Sequence, residues 1–165
     1  MDAWHDFFLS QAATAGVLTG LVFVGVSINL ERIVSDPEAG LTGRAAEALI
    51  LLVAVLTASC VLLIPGQGAR LFGLEVLAIG LAAWAWAGAI QHRRLKSWRT
   101  MGSDLRAAFV LRVALAQLGT VPFLGSGITM LAGELVGLYW LAAGMVFSVL
   151  AALFGAWVLL IEIHR

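Results

Sequence analysis

Five long apolar runs, parted by short polar stretches, account for most of this chain. The first, Phe7 to Leu30, is 24 residues without a charge. At about 1.5 Å of rise per residue, it crosses a hydrocarbon core of about 30 Å with some tilt to spare. Glu31 and Arg32 end it, and Ser35-Asp36-Pro37-Glu38-Ala39-Gly40 has the composition of a loop. The second run predicts a helix over about 45–64, broken by Pro65-Gly66-Gln67-Gly68. Leu71 to Gln91 makes a third, with one acid, Glu75, about 7 Å inside its start. The fourth starts near Arg106 and is interrupted by Pro122 and by Gly125-Ser126-Gly127. A proline at that depth kinks a helix or ends it. Two geometries follow: a long kinked helix reaching Leu131, or a helix over 106–124 followed by a glycine-rich segment that dips into the membrane where protein covers its backbone. The fifth run, 136–163, is the longest, and its length implies tilt or extension into water. Tyr139 and Trp140 near one end and Trp157 toward the other sit where interfacial anchors do. The expected fold is all-α, a single transmembrane helical domain over 1–165 with about five spans.

Composition sharpens this reading. The chain is 61% hydrophobic and 12% charged, with mean hydropathy +0.98; soluble domains carry about 25% charged residues. The lone Cys60 lies within an apolar run and is expected to be a small buried hydrophobe without a disulfide. The N-terminal Met1-Asp2-Ala3-Trp4-His5-Asp6 has no basic region and precedes a run too long for a signal-peptide core, so no cleavage is expected.

A net charge of zero hides a strong asymmetry along the chain. The 15 residues from His92 to Arg106 hold five of the ten Lys and Arg residues. With five spans, the 32–44 loop, this basic loop and Arg165 share one side, which gathers eight basic residues against Arg70 alone on the other. Short basic loops stay in the cytoplasm, so the N-terminus is expected outside and the C-terminus inside. The basic loop itself reads as a topology signal touching anionic headgroups, and nucleic-acid binding is not expected despite Trp98 among its arginines.

Polar groups inside the runs are the candidates for chemistry. Arg112 lies roughly 9 Å below the start of the fourth helix, and Glu47 just inside the start of the second; Asn29 and Glu31 occur at the same depth on the first. A lone buried charge is expensive in hydrocarbon. Arg112 is therefore expected to pair with Glu47 or Glu31, the alternative being that it snorkels to lipid phosphate. Gln11, Thr14 and Asn29 fall on one face of the first helix and could line a pathway, with Glu75 either a vestibule group or a packed structural acid. The opposite face carries the small-residue series Ala12, Gly16 and Gly20, and the last helix repeats the device at Gly144, Ser148, Ala152 and Ala156. Such series let helix backbones approach, either within one bundle or between copies.

Catalytic signatures are weak. Gly125-Ser126-Gly127 has the look of an intramembrane serine nucleophile, but no span carries a histidine base. Asp2, His5 and Asp6 could cluster on one helical turn, a poor metal site at a chain end. No phosphate-binding glycine loop, HExxH or CxxC occurs. Neither catalysis, a metal nor a cofactor is expected.

Trp4-His5-Asp6-Phe7-Phe8, Leu18 to Val24 with Ser27 to Leu30, Arg44-Ala45-Ala46-Glu47, Pro65-Gly66-Gln67, Tyr139 to Gly144 and Trp157 to Ile163 together resemble a family of small bacterial integral membrane proteins. Some of these are labelled modulators of the membrane protease FtsH. The resemblance covers most of the chain and implies the bacterial cytoplasmic membrane and at most a binding role. It brings no activity, substrate or cofactor, and it groups Asn29, Glu31, Arg44 and Glu47 as one constellation. The expected function is thus a non-catalytic scaffold or regulator acting through transmembrane helix contacts, with the lipid bilayer and a second copy or another membrane protein as partners. The alternative is an oligomeric channel or small-solute pathway lined by the polar face of the first helix. A lipid-modifying enzyme is a remoter third, for want of acid, base or metal pairs.

Overall fold

The computed structural model describes residues 2–35, 40–95 and 102–163. The centre of the basic loop, Lys96 to Met101 with Trp98 and Arg99, lies outside the described residues, as do Pro37 with its immediate neighbours and Arg165. The described residues form six helices: α1 Asp2–Ile28, α2 Leu30–Ser35, α3 Leu41–Leu62, α4 Ala69–Leu95, α5 Ser103–Leu131 and α6 Gly137–Ile163. All but α2 are long and apolar enough to cross a membrane. In lipid every backbone amide must be satisfied within the chain, and a helix does this with its own carbonyls.

The helix ends differ from the sequence expectation for identifiable reasons. The first span starts near the terminus and stops at Asn29, whose side-chain amide donates to the Gly25 carbonyl at 2.9 Å. That bond competes with the helical ladder and parts α1 from the short α2. At the start of α3, Gly40 holds φ 66, and its Cα lies so close to the Arg94 guanidinium that a Cβ would overlap it. The third predicted span overruns its expected end by four residues, and the last turn of α4 carries His92, Arg93 and Arg94. Cations there oppose the negative end of the helix dipole. Through Pro122 the chain stays helical, so α5 runs unbroken from Ser103 to Leu131 and the re-entrant alternative does not occur.

Helices α3, α4, α5 and α6 form a ring in which each packs on the next, and α1 lies outside it against α3. Burial follows this arrangement: 56% of the apolar span of α3 is buried but only 11% of that of α1. Basic side chains gather at one end of the bundle, with Arg32, Arg44, Arg93, Arg94 and Arg106 close to the helix termini there; Arg70 is at the other. The first is the basic end of the bundle and the second its far end.

Small residues close the far half of the ring. A Cβ on Gly127 of α5 would lie 2.6–2.8 Å from Leu77 of α4, and one on Gly73 of α4 would lie 2.6 Å from the Leu131 amide nitrogen. Between α5 and α6, Gly119 faces the Ser148 backbone, Ser148 Oγ donates to the Gly119 carbonyl at 3.1 Å, and the Phe123 ring packs on Gly144. Hydrocarbon tails are as apolar as leucine, so this close packing and hydrogen bonding, rather than water exclusion, hold the helices together. Around these contacts sits the core of Val55, Phe72, Val76, Phe123, Met130, Leu141 and Met145.

Cys60, expected to be buried, is exposed on the outer surface of α3. Its run is apolar because both lipid and bundle are apolar, and the sequence pattern does not separate the two environments.

Two glycines on the same helix give a controlled test. Gly127→Val, which places side-chain atoms against the α4 backbone, is expected to cost about 1–3 kcal/mol and to lower the unfolding temperature in detergent clearly. Gly125→Val, where a Cβ meets nothing within 4 Å, is expected to leave it nearly unchanged.

Candidate functional site: a buried ion pair beside a cavity

Glu47 sits six residues into α3, about 9 Å from its start, and its side chain is 6% exposed. One carboxylate oxygen, Oε2, accepts from Arg112 Nε of α5, and the other, Oε1, accepts from Gln91 Nε2 of α4 at 2.6 Å. Three helices are thereby tied to one carboxylate at a single depth. Of the two partners expected for Arg112, Glu47 is the one that binds it. The pairing is geometrically natural, because α3 and α5 are diagonal across the ring and a long guanidinium side chain bridges a diagonal that short residues leave open. Both charges stay inside the bundle; a buried carboxylate with both oxygens hydrogen-bonded avoids most of its desolvation penalty. Arg112 Nη2, by contrast, is buried without a hydrogen-bond partner, and a Cβ on Gly43 of α3 would lie 3.9 Å from it.

Beside this pair is a cavity of about 180 Å³ between α3, α5 and α6. Its polar wall is Arg44, Glu47 and Arg112, and its apolar wall includes Leu51, Leu115 and Val158. Leu111 and Phe154, also in the lining, are 48% and 45% exposed, so the space opens sideways between α5 and α6. At this level α6 stays against α3, with Gly155 facing Ala48 and Leu159 packed among Leu41 and Ala45. The close α5–α6 contacts of the far half do not continue to the basic end, and the cavity occupies the space they leave.

The structure brings Arg44, Glu47 and Arg112 together but not the other two members of the expected constellation. Asn29 bonds to its own helix, and Glu31 is exposed on α2. Gln91 was not anticipated as a member. Gln91 is the last residue of the expected third span, and only the extra turn of α4 places it inside the bundle; a glutamine closing an apolar run beside a charged segment is the signal the sequence carries.

The residues expected to line a pathway do not form one continuous track. Gln11 and Asn29 are half-buried on the side of α1 that also carries buried Phe8 and Ala15 and the packed Leu18 and Val22. Thr14 is exposed on the flank of that face. Glu75 is half-buried on α4 toward the far end. The small residues divide likewise: Gly144 and Ser148 are in the α5–α6 contact, whereas Gly16 meets only Leu56, at 3.9 Å, and Gly20 meets nothing within 4 Å.

Ser126 is fully buried, and its hydroxyl donates to Met130 Sδ at 3.5 Å. His5 Nδ1 lies 3.4 Å from an exposed Asp6 carboxylate oxygen, while the Asp2 side chain lies outside the described residues. Among the described residues, no three metal-ligating side chains come together.

The fold and the site define a multi-pass helical membrane bundle with a charged cluster inside one half. No family model, no curated protein and no solved structure matches the chain.

Arg112→Ala leaves Glu47 buried with no counter-charge and is expected to destabilise the bundle by about 3–5 kcal/mol, read as a large fall in unfolding temperature in detergent. Gln91→Leu removes one neutral donor to the carboxylate, and its expected cost is smaller, about 1–3 kcal/mol.

Proposed function

We propose that the protein is a non-catalytic scaffold or regulator of the bacterial cytoplasmic membrane that works through helix contacts, associating with a second copy through the outward face of α1. The observation that carries this reading is the use the bundle makes of its small residues. Those of α6 are used inside the bundle, Gly144 and Ser148 against α5 and Ala152 against α3, but Ala13, Gly20 and Ser27 of α1 remain exposed on a span that is 11% buried. Glycine and small polar residues gain nothing from lipid and much from a close neighbouring backbone. A conduit lined by α1 is disfavoured by the same placement, since Gln11 and Asn29 are on the bundle side and the far half of the ring is closed by glycine contacts. The resemblance to the small membrane proteins labelled as protease modulators agrees with a binding role. The basic end lies in the cytoplasm and the N-terminus outside, because short basic segments resist translocation.

Self-association is tested by the native mass of the purified chain in lipid nanodiscs. The expected result is a dimer or small oligomer that Gly20→Leu converts to monomer with unchanged unfolding temperature; a wild-type monomer would refute it. A closed ring of four or more copies would instead move the weight to a pathway. Orientation is read from reporters fused to the C-terminus: a fluorescent protein should be bright and a periplasm-dependent phosphatase inactive.

A further inference from the structure

We propose that the cavity between α3, α5 and α6 holds one acyl chain of a membrane phospholipid from the leaflet at the basic end. The chain enters sideways between α5 and α6, and the headgroup stays outside without being recognised.

The opening decides which phase the space meets. Leu111 of α5 and Phe154 of α6 stand exposed at the mouth. Each lies about 8 Å inside the basic-end limit of its apolar span, Arg106–Leu131 and Gly137–Leu159. At that depth the surrounding phase is acyl chain, not headgroup or water. Size narrows the occupant further. A helix with its side chains is about 10 Å across and does not enter a space of about 180 Å³. An apolar cavity of about 150 Å³ inside a soluble protein stays dry and takes up benzene, so the space here accommodates a stretch of methylenes.

The wall suits a neutral chain. Glu47 accepts from Arg112 Nε and Gln91 Nε2, and Arg44 has an interaction of its own. The two nitrogens of this wall that lack acceptors, Arg44 Nε and Arg112 Nη2, are buried out of an occupant's reach. The polar side therefore does not select for a charge. Leu51, Leu115, Ala151 and Val158 offer no polar side-chain atom. A buried water needs about two to four polar partners, so that side of the space is left to hydrocarbon, and each methylene against it gains dispersion contacts. A chain seated there also keeps water from Glu47 and Arg112 on the membrane side, where attraction between opposite charges strengthens as water is withdrawn. The site does not depend on self-association through α1, which packs on α3 and contributes nothing to the wall.

Photolabelling tests the proposal, with the full chain in nanodiscs of phosphatidylcholine that carries a diazirine partway along one acyl chain. Labelled positions are mapped by peptide mass spectrometry. Labelling is expected to concentrate at Leu115, Ala151 and Val158, above that at lipid-exposed Val110 and Leu150 of the same two helices. Phosphatidylglycerol with the same chain is expected to label these positions to the same extent. Ala151→Phe fills the space from α6, and Ala108→Phe narrows it from α5; each is expected to lose the concentrated labelling while the unfolding temperature holds, because the phenyl group takes the place of the chain. Labelling no greater at the cavity than at Val110 and Leu150 would overturn the proposal. So would undiminished labelling in either variant that still folds. Cavity labelling by phosphatidylglycerol alone would also overturn it, since the headgroup would then be what the site recognises.

Discussion

A carboxylate in hydrocarbon must keep its partners, and Glu47 keeps two from two different helices. An isolated charge at that depth is costly enough that the chain would neutralise or expel it, yet both oxygens of Glu47 are hydrogen-bonded within the bundle. The consequence is geometric. With Arg112 crossing the diagonal from α5 and Gln91 reaching from α4, α3 is fixed at one depth and one rotation relative to both. Apolar packing in a bilayer is permissive about rotation, because lipid and protein interiors differ little to a leucine. A polar contact that has no substitute in lipid supplies the discrimination that packing lacks.

The two halves of the molecule solve different problems. Toward the far end, backbone-to-backbone contact through Gly73, Gly127, Gly119 and Gly144 makes a closed seam, with Ser148 donating into the α5 backbone just before Pro122. Pro122 removes one rung of the α5 ladder, and its ring lies against Gly144, where a neighbour without a side chain gives it room. Toward the basic end, side chains replace backbones at the contacts, and α5 and α6 leave a space beside the ion pair. Rigidity at one end and a polar, accessible cavity at the other is an arrangement suited to binding.

Much of this was legible in the sequence. The five apolar runs gave the five spans, because a bilayer sets both the length and the polarity that a span requires. Depth matching brought Arg112 and Glu47 together, since residues at one level of a membrane have few alternative partners. The remaining misjudgements share a cause. Hydropathy locates a residue along the membrane normal but not around the helix, so exposed Cys60 and exposed Glu31 could not be told from buried ones. Gln91 was missed because basic residues extend a helix past the end of its apolar run. At Pro122 the sequence left two geometries open, and neighbouring helices decided between them.

The Glu47–Arg112 contact, and not either residue alone, holds the basic half together. A double-mutant cycle of Glu47→Gln and Arg112→Gln, with unfolding free energies measured in mixed micelles, isolates that term. The expected coupling energy is about 2 kcal/mol or more, above the roughly 0.6 kcal/mol typical of interhelical hydrogen bonds in membranes. Additive single and double variants, with coupling near zero, would contradict it.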